Sequence, residues 1–380
     1  MKQTYARIKN ISQDIMGIIT SHEILFNKSK YIYWGNTSKG KSGYKITLTT
    51  CDSIESKFPI AYSVPPDFTL NEGDVVLITT EGLITVLYEI KSAHNAIMAT
   101  ERCNHRCIMC PQPPIAQEKD KTDFNLRLIS LFDKSTQEVG ITGGEPTLIG
   151  DNLFVLSRHI QKCLPKAAIS ILSNGVKFSD KDYAKKLALC NHSDLQIDIP
   201  IFSDIASEHN KIVGAKTFYK TVQGLYNLAL FHQRIGIRVV VHKQTFKRLP
   251  QLADYIYHNF PFVSQVAFMQ METIGLASEH LEQLWIDPYD YHDQLREAVL
   301  LLRDRGIPAY VYNAQLCVLP NDIREYAVQS ISDWKDIYID ECNDCSLKGC
   351  CAGFFESNRE HHSAHIKAQK FDNEKPICLT

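Results

Sequence analysis

Six short apolar runs between residues 93 and 306, separated by helix-like stretches, constrain this 380-residue chain more than any other feature. They are NAIMAT, EVGITG, AAISILSNG, DLQIDIPI, GIRVVVHK and SQVAFMQM. Near-continuous apolar runs of this length are what strands buried on both faces look like, as in parallel sheets covered by helices. The segments between them carry helix signals. Ser179-Asp180-Lys181-Asp182 has the form of a capping box, and Asp287-Pro288 opens a stretch through YHDQLREAVLLLRDR that stops at Gly306. The pattern predicts an α/β fold, a partial (βα)6 TIM-like barrel, over residues 93–306.

The flanks read differently. Residues 1–92 contain KYIYWGN, YKITLTT and NEGDVVLITTEGLITVLYEI, punctuated by turn residues, which predicts a small β-rich domain, barrel or sandwich. Residues 307–380 are irregular and cysteine-rich, and are expected to form a C-terminal extension organised by metal, with a mobile tail after about 357. With 41 Lys and Arg against 43 Asp and Glu, no overall field favours nucleic acid or an anionic membrane as partner. The start lacks the apolar block of a secretory signal, and nowhere do about 18 apolar residues run together. A cytoplasmic protein is expected, so its 12 cysteines should stay reduced for metal binding or chemistry. Cys51, Cys163, Cys190 and Cys378 are isolated and read as small hydrophobes or surface thiols.

Cys103, Cys107 and Cys110 stand on the loop after the first predicted strand, at the end where barrel enzymes build their sites. A structural zinc site uses four ligands. Three thiolates on a [4Fe-4S] cluster leave one iron open to an exogenous ligand. The zinc alternative requires a distant fourth ligand such as His94 or His105, the latter otherwise reading as an exposed loop residue. Cys317, Cys342, Cys345 and Cys351 form a second group, sufficient to close a metal site, and their spacing suits zinc or iron–sulfur equally. Cys350 competes with Cys351 for the last place.

The Cys103-x3-Cys107-x2-Cys110 loop, followed after the second strand by GITGGEP, resembles the signature pair of the radical S-adenosylmethionine (SAM) superfamily. The resemblance covers about 94–275. It implies that Cys103, Cys107 and Cys110 hold a [4Fe-4S] cluster whose open iron binds SAM. It also implies reductive cleavage of SAM to a 5′-deoxyadenosyl radical that abstracts a substrate hydrogen. Gly143, Gly144 and Glu145 are then expected near the SAM amino group, since glycines let backbone approach a ligand. Met109 stands where the family often carries an aromatic residue near adenine. Ser173 and Asn174, ending the third strand, match family positions that approach SAM. Asp198 and Gln196 alternate with Ile197 and Ile199, which points the polar pair into the barrel lumen; Gln270 and Glu272 are read likewise. Radical SAM enzymes with C-terminal extensions tilt the second cysteine group towards an auxiliary [4Fe-4S] cluster, and the following AGFF favours Cys351 as ligand.

A finer resemblance rests on GLITVLYEIKSAHNAIMATERCNHRCIMCPQPP, YNAQLCVLP, YAVQSISDWKDIY and CNDCSLKGCCAGFF, which are similar to HxsC-type maturases of His-Xaa-Ser repeat systems. It implies a peptide or protein substrate with His-Xaa-Ser repeats, an electron donor and a second radical SAM maturase working alongside. Two other classes stay open: a radical SAM enzyme acting on a small molecule or nucleotide, and a non-enzymatic iron–sulfur or zinc protein.

Overall fold

The structure, a computed structural model, describes residues 2–329 and 337–370. Cys378 and the whole SISDWKD stretch, 330–336, lie outside the described residues. The chain forms two eight-stranded sheets. The first takes β1 (Gln3–Tyr5), β2 (Arg7–Lys9), β3 (Ile15–Thr20), β4 (Tyr31–Trp34), β5 (Ile46–Leu48), β6 (Ile60–Tyr62), β7 (Val75–Ile78) and β8 (Leu83–Tyr88) in the order β1-β8-β7-β3-β4-β5-β6-β2. Its two edge strands are joined through Ala6 alone, and one trans residue spans at most about 7 Å, so the sheet curls back on itself. Ile19, Ile32, Ile46, Leu48, Ile78 and Ile84 fill its interior.

The second sheet runs in simple sequence order through β9 (His94–Thr100), β10 (Glu138–Gly143), β11 (Ala168–Leu172), β12 (Leu195–Pro200), β13 (Arg234–Val241), β14 (Gln265–Gln270), β15 (Ala309–Tyr312) and β16 (Ala327–Val328). The strands from β12 to β16 pair in parallel. Crossover helices between successive parallel strands are the wall of a (βα) barrel. All six runs identified in the sequence are strands here. The sheet continues further than expected: β15 and β16 come from the region read as irregular, because runs of four and two residues are too short to register as a period.

By contact, the chain divides into two compact units. One comprises residues to Ile97 with Asp120–Gly140 and Val155–Ile169; the other comprises Met98–Lys119, Ile141–Phe154 and everything from Ser170. In the first, helix α1 (Thr122–Ile129) is followed by Phe132, which stacks on Tyr88 at 4.4 Å, and the Tyr88 hydroxyl bonds Thr136 at 3.0 Å. In the second, Ile197, Ile199, Ile235, Ile237 and Val239 are fully buried on one face of the sheet. Gln196 and Asp198 occupy the other face with Gly236, where a Cβ would stand 2.1 Å from Asp198 Oδ1. That inner face is the lumen, as the alternation of QIDIP predicted. Gln270 departs from the expectation, because it is one residue out of phase with Met269, which shares the face of Arg238, and its Oε1 is buried with no hydrogen-bond partner among the described residues. No helix among the described residues is long and apolar enough to cross a membrane.

Local signals were legible to within a residue. The helix Lys181–Ala188 is capped by Asp180, whose carboxylate accepts from the amides of Asp182 and Tyr183 at 3.0 and 3.3 Å, one residue later than the capping box beginning at Ser179 expects. Asp287 caps the turn Pro288–Tyr291, which leads into the helix His292–Asp304.

Two histidines in the second unit are buried as neutral rings. His209 lies between Phe202 and Phe218, with Nδ1 accepting from the Phe202 amide at 3.3 Å. His242 accepts from the Gln244 amide at 3.2 Å. Burial pulls both down to about 4, with nearby His105 adding to the effect at His209. An unfolded chain would protonate them near 6.5, so the stability they contribute is complete above that pH and is lost as pH falls from 6.5 towards 4. We expect the unfolding free energy to drop by about 2 kcal/mol per histidine between pH 7 and pH 5. Denaturant titrations at the two pH values check this, and His242→Gln should remove part of the slope.

Candidate functional site

The cysteine loop is held from three directions. Beneath it, the amide of Gly144 donates to the Thr100 carbonyl at 2.7 Å and that of Glu145 to the Arg102 carbonyl at 2.8 Å. This approach explains the glycine pair: a Cβ on Gly143 would stand 2.2 Å from the Thr100 carbonyl oxygen, and one on Gly144 would stand 2.3 Å from that of Arg102. The close approach of the cysteine loop by itself thus requires glycine at both positions. On a second side, the amides of Arg106 and Ile108 donate to the carbonyls of Val213 and Ile212, both at 3.0 Å. On a third, the Leu276 amide donates to the Cys110 carbonyl at 2.9 Å, and Gly275 is packed too close to Cys110 and Pro111 for any side chain.

Glu145 joins this floor to the end of β11. Its carboxylate is 1% exposed and accepts from Thr147 N (3.0 Å), Thr147 Oγ1 (2.6 Å), Ser173 Oγ (2.8 Å) and Asn174 N (2.6 Å). Burial raises its pKa, and the donors oppose the rise. Asn174 reaches further, donating from Nδ2 to Asn104 Oδ1 in the cysteine loop at 2.6 Å. Glu145, Ser173 and Asn174 are therefore brought together, as expected of one site, but the bonds described here are to one another and to the loop. Asn104 is a participant the sequence reading missed; an Asn between cysteines looks like ordinary loop composition.

His105 corrects the reading of an exposed loop residue. It is 3% exposed, with Nε2 bonded to Thr217 Oγ1 at 2.9 Å, and burial pulls it down to about 4. His94 is bonded to Glu138 at 2.8 Å at the start of β9, away from the carboxyl-end loop. Met109 is 5% exposed and packs with Phe202, Ile212, Val213, Met271, Ala277 and Leu284, a cluster that Cys107 and Val240 also touch.

All three loop cysteines are free thiols. Burial pushes Cys103 up to about 11 and Cys107 up to about 12, and Cys107 feels both neighbours electrostatically. In the second group, Cys317, Cys342, Cys345 and Cys351 are free, whereas Cys350 is not a free thiol. Cys317 is coupled to Cys342 and Cys345, and Cys351 to Cys317 and Cys342. Backbone amides point at these sulfurs: Leu316 to Cys351 at 3.5 Å, Gln369 to Cys345 at 3.4 Å, and Lys367 to Cys317. The Arg324 guanidinium is half-buried and faces Cys317, Cys345 and Cys351. The segment expected to be a mobile tail supplies two of those amides and is pinned elsewhere: Asp287 accepts from the Ala364 amide at 3.0 Å, and His365 stacks on Tyr289 at 3.8 Å.

Among the described residues, no group of three or more His, Cys, Asp or Glu side chains is placed to hold one metal ion. Four thiolates on one zinc stand roughly 3.8 Å apart at a Zn–S length of about 2.3 Å. A [4Fe-4S] cluster binds each thiolate at its own corner and needs them wider apart. The amides and Arg324 beside these thiols are compatible with either group.

A profile of the radical SAM superfamily matches residues 97–256. A GTP 3′,8-cyclase of Campylobacter jejuni subsp. doylei is 30% identical over 276 residues, 68% of this chain and 78% of that protein. An Fe-coproporphyrin III synthase of Methanosarcina barkeri is 26% identical over 223 residues, 56% of this chain; the chain spans about half of that relative, 53% of its length. Among solved structures, Streptococcus suis SuiB bound to precursor peptide SuiA aligns with a TM-score of 0.48 at 15% identity, over 58% of this chain and 48% of that one. The chain belongs to the radical SAM superfamily, and membership implies a [4Fe-4S] cluster and SAM.

Gly144→Ala tests the packing of the floor. The added methyl must displace the Arg102 carbonyl, so a lowered thermal midpoint and faster amide exchange across residues 101–110 are expected; unchanged exchange would contradict the close approach.

Proposed function

We propose that this chain is a radical SAM enzyme acting on a peptide or protein, and that it matures a His-Xaa-Ser repeat protein in the cytoplasm beside a second radical SAM maturase and an electron donor. The observation that carries this reading is the second thiol set, gathered with Arg324 in the same compact unit as the three-cysteine loop. Cys103, Cys107 and Cys110 would hold the first [4Fe-4S] cluster, and Cys317, Cys342, Cys345 and Cys351 an auxiliary one. When bound, the first cluster with SAM supplies reductive cleavage of the sulfonium and a 5′-deoxyadenosyl radical able to take hydrogen from carbon.

The chain's own residues orient and shield that chemistry. Gly143, Gly144 and Glu145 fix the height of the cysteine loop through the Thr100 and Arg102 carbonyls. Met109 and its apolar cluster exclude water on one side of the loop. Gln196 and Asp198 present polar groups to the lumen, where substrate would lie. At the second site, amide donors from Leu316, Lys367 and Gln369 and the charge of Arg324 suit an anionic thiolate cluster.

A nucleotide substrate is the second reading, favoured by the GTP 3′,8-cyclase relatives at 30% identity or above. Anaerobic reconstitution, iron counting and assay for 5′-deoxyadenosine test the proposal. About eight irons are expected, about four lost with Cys103, Cys107 and Cys110 changed to Ala together with all SAM cleavage, and about four lost with the second set changed while SAM binding remains. Four irons and one zinc would make the second site structural. No cleavage in the loaded, reduced protein would overturn the reading. Turnover of GTP, with none of a His-Xaa-Ser peptide, would select the nucleotide alternative.

A further inference from the structure

Arg238 stands fifth in the eight-residue strand β13, with Ile237 and Val239 fully buried on either side and facing the opposite way. Its own side chain enters the lumen on the face shared with Gly236 and Asp198. Register places it beside Pro200, the last residue of β12, and Ala267, the third of six in β14, so it stands in the middle of the sheet. The next position on its face, Val240, pairs with Met269 nearer the carboxyl ends, where barrel enzymes bind their ligands. Two residues further along the same face, about 7 Å away, Val240 touches the apolar cluster that Met109 and Cys107 share.

A guanidinium carries five N–H donors in a planar fork suited to carboxylate or phosphate oxygens. Here Nε and Nη2 both donate to the thioether sulfur of Met269, at 3.3 and 3.2 Å. Thioether sulfur is a weak acceptor. Asp198 acts on Arg238 through space without a hydrogen bond between them, and Asp198 Oδ1 accepts from Gln196 Nε2 at 2.8 Å. Gly236 preserves this arrangement, since any side chain there would strike the Gln196–Asp198 pair. Arg238 is half-buried, so it is partly desolvated yet reachable from the lumen. Desolvation lowers its pKa, a further sign that its surroundings under-compensate the charge. Removing a cation from water without an oxygen acceptor hydrogen-bonded to it is unfavourable, and Asp198 offsets that cost only through space.

We propose that Arg238 is an oxyanion-binding residue of the lumen, whose guanidinium exchanges the Met269 sulfur for the two oxygens of a carboxylate on a molecule bound against the cysteine loop. The inference rests on the lumen being the reaction chamber of the proposed function. Two sources offer that carboxylate: the methionine portion of SAM, or the substrate. In either case bidentate contact would fix the orientation of the bound molecule.

The test uses the reconstituted holoenzyme, with Arg238→Met to remove the charge at similar length and Arg238→Lys to keep the charge without the fork. SAM binding is read from the change it makes in the electron paramagnetic resonance spectrum of the reduced cluster. A separate carboxylate site is read from the rise in thermal midpoint with sodium acetate over a sodium chloride control. If the carboxylate is that of SAM, half-saturation moves at least tenfold upward in R238M, with partial recovery in R238K. If it belongs to the substrate, SAM titrates normally while acetate stabilises wild type and not R238M. In both cases the R238M midpoint without ligand should equal or exceed that of wild type. Normal SAM titration, together with an acetate response equal to that of wild type or absent from both, would overturn the proposal. A large loss of midpoint with binding intact would do so too, making Arg238 a packing residue. Should R238M not fold, the same criteria apply to R238K, whose lost fork must weaken one of the two responses. Failure of wild type to bind SAM while acetate still stabilises it through Arg238 would sink the functional reading and leave the anion site standing.

Discussion

The carbonyl oxygens of Thr100 and Arg102 lie against the amides of Gly144 and Glu145, with no space for a Cβ between them. Everything proposed for this protein depends on that contact. It couples the end of β10 to the loop that carries Cys103, Cys107 and Cys110, and so fixes where the thiols stand relative to the sheet. Glu145 continues the linkage to the SNG turn through Ser173 and Asn174, and Asn174 returns to Asn104 inside the loop. The result is a closed circuit of hydrogen bonds around a buried carboxylate. Such a network, fully satisfied, rigidifies its surroundings and is costly to break at any member.

Charge is distributed to match. The three-cysteine loop is walled by apolar side chains, and burial there disfavours thiolate until a cation compensates it. The second thiol set has amides aimed at its sulfurs and an arginine facing three of its members. Between these extremes, the lumen holds Arg238 against a sulfur, where an oxygen would serve it better. A site that binds a charged ligand commonly carries such an imbalance when empty, because the ligand completes it.

Periodicity and spacing made much of this legible. The six strands of the barrel wall were readable because each combines length, apolar continuity and a turn or cap at its end. The inward face of β12 was readable because polar residues alternate with isoleucine in QIDIP. The cysteine loop was readable because three thiols after a strand have few explanations. By contrast, β15 and β16 were too short to leave a period, and β1, β2, β3 and β6 were not singled out within the β-rich reading of residues 1–92. His105 was misplaced because burial of a loop residue is a long-range fact, made by Thr217 more than 100 positions away. The tail after residue 357 looked polar and loose, yet between residues 364 and 369 it is held by backbone amides and by the His365 ring, contacts that no local pattern reports.

Composition and local pattern by themselves determined the α/β class, the position of the cysteine loop and the resemblance to radical SAM enzymes, since these depend on residues close together in the chain. Only the tertiary structure decided what the glycines of GGEP make room for, which residues Glu145 joins, and that Arg238 meets sulfur in the lumen. Each of these is a contact between segments separated by tens of residues, and its geometry depends on strand register and on which face a side chain takes. A sequence restricts those variables; the assembled sheet settles them.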